Sequence, residues 1–84
     1  SNKESLQELF LRIHNTLSEN GLVRLSIKSK ESYSKVVEKD PFGERIFYYY
    51  SEKDIREITS QFKIIFIRQE THAGKDWLEI LLQK

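Results

Sequence analysis

The C-terminal run "KIIFIRQETHAGKDWLEILLQK", Lys63 to Lys84, constrains this chain more than any other stretch. Lys63 to Glu70 is β-branched and apolar and is long enough for a buried strand. Thr71 to Lys75 contains Ala73-Gly74 and reads as a hairpin turn. The return segment alternates, with Leu78, Ile80 and Leu82 on one face and Trp77, Glu79 and Leu81 on the other.

Two segments read as helices. Leu6, Leu9, Phe10, Ile13 and Leu17 recur at helical spacing, with Gln7, Glu8, Arg12, Asn15 and Glu19 opposite, so a helix is expected over about residues 4–19. Ser5 and Glu8 make an S-x-x-E capping box. Asn20-Gly21 supplies the stop, because glycine takes a left-handed conformation without steric cost. In the second segment Ser51 is placed to cap a helix with Asp54 in its first turn. Ile55 and Ile58 line one face of it, and Phe62 continues that face beyond the helix end.

Between the helices "LVRLSIK", Leu22 to Lys28, alternates Val23, Leu25 and Ile27 with Arg24, Ser26 and Lys28, which predicts a strand. Residues 29–44 are polar, charged and turn-forming, and are expected to form one long loop with a turn at Asp40-Pro41-Phe42-Gly43. Ile46 to Tyr50 reads as a short aromatic strand or an extended entry to the second helix. Alternation then puts Tyr48 and Tyr50 on one face and Phe47 and Tyr49 on the other. The expected order is helix, strand, loop, short strand, helix, strand, strand, in one domain spanning residues 1–84. The fold class is α/β, with about three main strands, a C-terminal antiparallel hairpin and two helices.

Composition removes several functions. Cysteine is absent, so there is no disulfide framework, thiolate metal site or cysteine nucleophile. No apolar run approaches the roughly 20 residues of a membrane-spanning helix, and no secretory leader is read at the N-terminus. Fourteen basic side chains against thirteen acidic ones leave a net charge of +1, which argues against nucleic acid as a partner. The local basic bias between Arg24 and Lys39 reads as a solvated loop. No Gly-rich phosphate cradle and no nucleophile elbow is present. His14 reads as a surface or partly buried histidine and His72 as a solvated turn residue. Glu57, Glu70 and Glu79 form no carboxylate pair that spacing alone reveals. No catalytic, cofactor-binding or metal-ligating residue is assigned.

Three stretches carry a resemblance: "LFLRIHNTLSENGLVRLSIK", "RIFYYYSEKDIREITSQFKIIFIRQE" and "KDWLEILLQK". Together they resemble the C-terminal half of a class I S-adenosylmethionine-dependent methyltransferase. In that family a helix ending in a Gly turn leads into the fifth strand, an aromatic segment and an acidic-capped helix precede the sixth, and a hairpin brings back the seventh. The resemblance implies a partial Rossmann-like sheet. It also implies S-adenosylmethionine as the cofactor of the parent family, although the cofactor-binding strands are not in this chain. Three features depart from the family pattern. The cofactor half is absent, Ser60-Gln61 stands where a glycine usually precedes the aromatic Phe62, and the loop after Lys28 lacks glycines.

On this reading the chain is inactive alone and contributes substrate-side surface, with Lys28, Tyr33, Phe47, Tyr48 and Tyr49 as lining residues. The edge of strand 22–28 is open to self-association or to an N-terminal half-domain. A cytoplasmic location is expected. The alternative is a stand-alone α/β module that binds protein or RNA through Tyr48–Tyr50 and the basic segment 24–39.

Overall fold

The computed structural model describes residues 2–84. They form α1 (Lys3–Thr16), β1 (Leu22–Lys28), β2 (Ser34–Asp40), β3 (Gly43–Tyr49), α2 (Glu52–Ile58), β4 (Lys63–His72) and β5 (Lys75–Gln83). The strands make two sheets, one ordered β1-β5-β4 and the other the β2-β3 pair. β5 runs antiparallel to both of its neighbours, so β1 and β4 point the same way. The architecture is a small α/β fold with mostly antiparallel pairing.

The alternation in β5 places its apolar side chains at the centre. Leu78, Ile80 and Leu82 are all buried. Val23, Leu25 and Ile27 of β1 stand opposite Leu82, Ile80 and Leu78. Ile64 and Ile67 of β4 stand opposite Leu82 and Ile80. Leu6 and Phe10 of α1, Ile55 of α2, and Tyr50 and Phe62 complete this cluster. Both helices therefore cover one face of the larger sheet. Each such buried side chain contributes about 1.5–3 kcal/mol.

The run "KIIFIRQE" does not alternate because one residue is taken up by a bulge between Ile64 and Phe66. Ile64 and Ile67 pack on the core while Ile65, at the bulge, is 43% exposed. The bulge keeps both flanking segments in register with β5 and sends Phe66, Arg68 and Glu70 to the face without helices.

The first helix is shorter than its apolar spacing suggests. It stops at Thr16, and Leu17 is extended while still packing on the core. Its cap is Asn2, whose Oδ1 accepts the Ser5 backbone N–H at 2.8 Å, so Ser5 lies inside the first turn and the Ser5–Glu8 capping box is not used. The inward stripe is Leu6, Phe10, Ile13 and Leu17. Leu9 falls outside it and is 48% exposed. At the stop, Asn20 takes the left-handed conformation (φ 63). Gly21 is needed for close approach, since a Cβ there would lie 2.9 Å from the Ser18 carbonyl oxygen.

The expected loop over 29–44 is not a loop. Ser34–Asp40 is strand β2, and the short strand expected at 46–50 begins earlier, at Gly43, so that the two pair as an antiparallel hairpin. "SKVVEKD" hides this because its two valines are adjacent and face opposite ways. Its pairing rests instead on cross-strand partners: Val36 with Phe47, Val37 with Ile46, and a Lys39–Glu44 ion pair at 3.3 Å. The turn at Asp40-Pro41-Phe42-Gly43 is as expected, with Asp40 Oδ1 accepting the Phe42 N–H at 2.8 Å and Gly43 at φ 137.

The hairpin projects from the body. The molecule measures 47 × 24 × 19 Å with a radius of gyration of 14.0 Å, against about 12 Å for a compact chain of this length. Tyr50 anchors the base of the hairpin. Its N–H donates to the Lys28 carbonyl and its carbonyl accepts from the Lys30 N–H, both at 3.2 Å.

Candidate functional site

The carboxyl end of β1, the start of α2 and the base of the hairpin enclose a cleft of about 680 Å³. Ser29, Lys30, Glu31, Ser32 and Tyr33 line it from the segment after β1, Ser51 to Asp54 from α2, and Gln69, Asp76 and Leu78 from the sheet. Lys3 at the start of α1 closes it.

Asp54 is the organising residue. Ser51 caps α2: its Oγ accepts the Asp54 N–H at 3.1 Å, while Asp54 Oδ2 accepts the Ser51 N–H at 3.0 Å and the Ser51 hydroxyl at 2.8 Å. The sequence S-E-K-D thus makes a capping box with aspartate in the third helical position. Asp54 Oδ1 meets the Lys3 ammonium at 2.7 Å. Burial pushes the Asp54 carboxyl up, but the hydrogen bonds from Lys3 and Ser51 outweigh it and hold the group below its ordinary value. The same hydrogen bond raises Lys3.

Lys3 also lies 5.1 Å from the centre of the Tyr33 ring. Tyr33 stacks on Tyr48 at 6.5 Å and tilts against Tyr50 at 5.6 Å. Burial pushes the Tyr50 phenol up to about 12, with Tyr33, Tyr48 and Asp54 adding to the shift. The cleft sets Lys3, Lys30 and Lys53 against Glu31, Glu52, Asp54 and Asp76. This mixed charge suits a ligand that carries both donors and acceptors better than a polyphosphate.

A second surface lies on the other side of the hairpin. The Lys28 ammonium sits 4.3 Å from the Phe47 ring centre and 5.7 Å from that of Trp77. Lys30 sits 4.4 Å from the Tyr49 ring centre. Cations and rings alternate along this strip, each pair held by cation–π attraction.

The expected lining residues therefore separate into two groups. Tyr33 lines the cleft, and Tyr48 supports it by stacking. Lys28, Phe47 and Tyr49 belong to the second strip. The alternation of Phe47 and Tyr49 against Tyr48 and Tyr50 holds, and the hairpin turns that alternation into two surfaces. Lys3, Lys30 and Asp54 were missed as cleft residues. The Ser51 cap signalled that Asp54 would be oriented, but nothing local signalled that Lys3 would reach it from the other end of the chain. His14 is half-buried with its ring edge-on to Phe62 at 5.0 Å, and His72 is exposed. Among the described residues no helix is long and apolar enough to cross a membrane. Comparison with protein-family models, with curated proteins and with solved structures finds no match to this chain.

Proposed function

We propose that these residues build the substrate-side half of a class I S-adenosylmethionine-dependent methyltransferase fold, inactive without the cofactor-binding half. The observation that carries this reading is the strand arrangement, in which β1 and β4 run parallel with β5 antiparallel between them. The fifth, seventh and sixth strands of that family's partly parallel, Rossmann-like sheet stand in the same relation. The position of the cleft adds support, because open α/β sheets take ligands outside the carboxyl ends of their strands.

The residues present do not fit S-adenosylmethionine itself. A nucleotide cradle needs a glycine where the backbone approaches the ligand. Gly21 packs against Ser18 in the turn before β1, while Gly43 and Gly74 stand in the two hairpin turns with open space around them. None of the three lines the cleft. No methyl-transfer step is therefore assigned to these side chains.

On this reading the free edge of β1 receives a strand from an N-terminal half-domain or from a second copy. Leu22–Lys28 pairs with β5 on one side only, and Tyr50 bonds the other side only at the carboxyl end. A cytoplasmic site of action goes with it. The test is calorimetric titration with S-adenosylhomocysteine of this chain and of a polypeptide extended through the upstream coding sequence. The extended protein is expected to bind and this chain is not. An upstream sequence without a strand, Gly-rich turn and helix, or an extended protein that does not bind, overturns the proposal.

The lysine–aromatic strip favours a second reading, a module that binds RNA or protein through Lys28, Lys30, Phe47, Tyr49 and Trp77. Stacking of bases on such rings is worth about 1–3 kcal/mol each. Anisotropy titration with a labelled single-stranded RNA tests it. Salt-sensitive binding that Phe47→Ala and Lys28→Ala both weaken supports the module, and binding indifferent to both rejects it.

A further inference from the structure

The face of the larger sheet without helices carries a group of side chains that neither reading uses. Glu70 and His72 lie two residues apart on β4 and so project to the same side. Glu70 is paired with Trp77 of β5, and Glu79 follows Trp77 by two residues, which brings it to that side as well. The ligand atoms of Glu70, His72 and Glu79 all lie within 4.8 Å of one another. His72 Nε2 is 3.1 Å from Glu70 Oε2.

We infer that Glu70, His72 and Glu79 form a site for one divalent transition-metal ion of the zinc class. Zinc takes imidazole and carboxylate donors at ~2.0–2.2 Å, which in a tetrahedral set puts neighbouring donors roughly 3.3–3.6 Å apart. The observed cluster already brackets that spacing, so small side-chain rotations close it. One imidazole and two carboxylates are a mixed nitrogen and oxygen set. Calcium would ask for six or more oxygens, and magnesium for an octahedral oxygen shell. Three protein ligands leave a fourth position open to water or to another ligand.

Two further features point to this site. Glu79 is held from behind by Ser26 of β1, whose hydroxyl donates to Glu79 Oε2 at 2.7 Å. Such an outer hydrogen bond orients a ligating carboxylate and leaves its other oxygen for the ion. Glu79 also makes no ion pair among the described residues, although Arg68 stands directly across from it. The Arg68 guanidinium instead lies 3.9 Å from the centre of the Phe66 ring. Two carboxylates brought together repel each other, the Ser26 hydroxyl offers Glu79 no charge in return, and a bound cation would remove that cost. Lys75 lines the same hollow of about 420 Å³ and is the competing positive charge.

Trp77, the only tryptophan, lines this hollow and reports on it. The test is titration of the 84-residue protein with zinc chloride in metal-free buffer, followed by calorimetry and tryptophan fluorescence, with cobalt as a spectroscopic stand-in. One saturable site is expected, accompanied by a change in Trp77 emission. His72→Ala and Glu79→Gln should abolish saturable binding, and Ser26→Ala should weaken it by roughly tenfold. Lys75→Gln should tighten it, and His14→Gln should leave it unchanged. All of these positions are exposed or half-buried, and circular dichroism verifies that each variant remains folded. Absence of saturable zinc binding, or binding that survives His72→Ala or Glu79→Gln in folded protein, overturns the site.

Discussion

The Lys3 ammonium lies 2.7 Å from the Asp54 carboxylate, which ties the first turn of α1 to the first turn of α2. Asp54 is also half of the capping box that starts α2. A seven-residue helix is too short to persist by propensity alone, so its cap and its packing must hold it.

Removing Asp54 should therefore cost more than removing Lys3. Asp54→Ala takes away a cap and leaves Ser51 without its partner, at about 1–3 kcal/mol. Lys3→Ala takes away an ion pair whose lysine is open to solvent and screened by it, so its loss is the smaller one. Urea denaturation of the two variants measures both, and equal losses would contradict the role assigned to the cap.

The same groups set a pH profile. Asp54 is held below its ordinary value of 3.8, so its contribution is complete above that value and fades as the pH falls below it. Lys3 is raised, so its contribution is complete below 10.5 and is lost at higher pH. Tyr50 is raised from 10.0 to about 12, so the folded state keeps its phenol protonated and loses stability as the pH climbs through that window. Chemical denaturation across pH should show a plateau flanked by an acidic and an alkaline decline. Asp54→Asn should flatten the acidic limb and Tyr50→Phe the alkaline one.

The turn between β4 and β5 holds Ala73 at φ 53 and Gly74 at φ 74. Left-handed backbone costs a residue with a Cβ about 1 kcal/mol, and asparagine tolerates it better than alanine. Ala73→Asn is expected to raise stability by about 0.5–1 kcal/mol, read as a higher denaturation midpoint with an unchanged slope. A lower midpoint would mean that the turn is not of this type.

Leu9 and Phe10 are neighbours in α1 with opposite fates. Phe10 is 2% exposed and meets Phe62 edge-on at 6.1 Å, while Leu9 is 48% exposed. Phe10→Ala should cost about 3–5 kcal/mol, a large part of the stability of so small a domain. Leu9→Ala should fall within about 0.5 kcal/mol of the parent. Thermal melts of the pair decide the matter, and comparable losses would place Leu9 in the core.

Hydrogen exchange should divide the two sheets. β5 is hydrogen-bonded on both sides and covered by the helices on one face, whereas the β2-β3 hairpin leaves Val37 and Ile46 about half exposed. Amides of β5 are expected to be the last to exchange and those of β2 and β3 among the first, apart from Tyr50 at the base. Uniform protection would show that the hairpin folds as one unit with the body.

The sequence by itself determined the elements whose patterning is one-sided. β1 and β5 were legible because each alternates with one wholly apolar face against a mixed one, and α2 because Ser51 and Asp54 mark its start. The closing hairpin was legible from Ala73-Gly74. Three features were not. β2 stayed hidden because Val36 and Val37 face opposite ways, and only β3 supplies their partners. The outward side of Leu9 was hidden because helical spacing cannot say how wide the covered stripe is. The cleft was hidden because Lys3, Lys30, Asp54 and Asp76 are far apart in the chain. Tertiary structure alone decided these, because cross-strand pairing, burial width and charge contact depend on which surfaces meet. A local pattern states only which surface a segment has to offer.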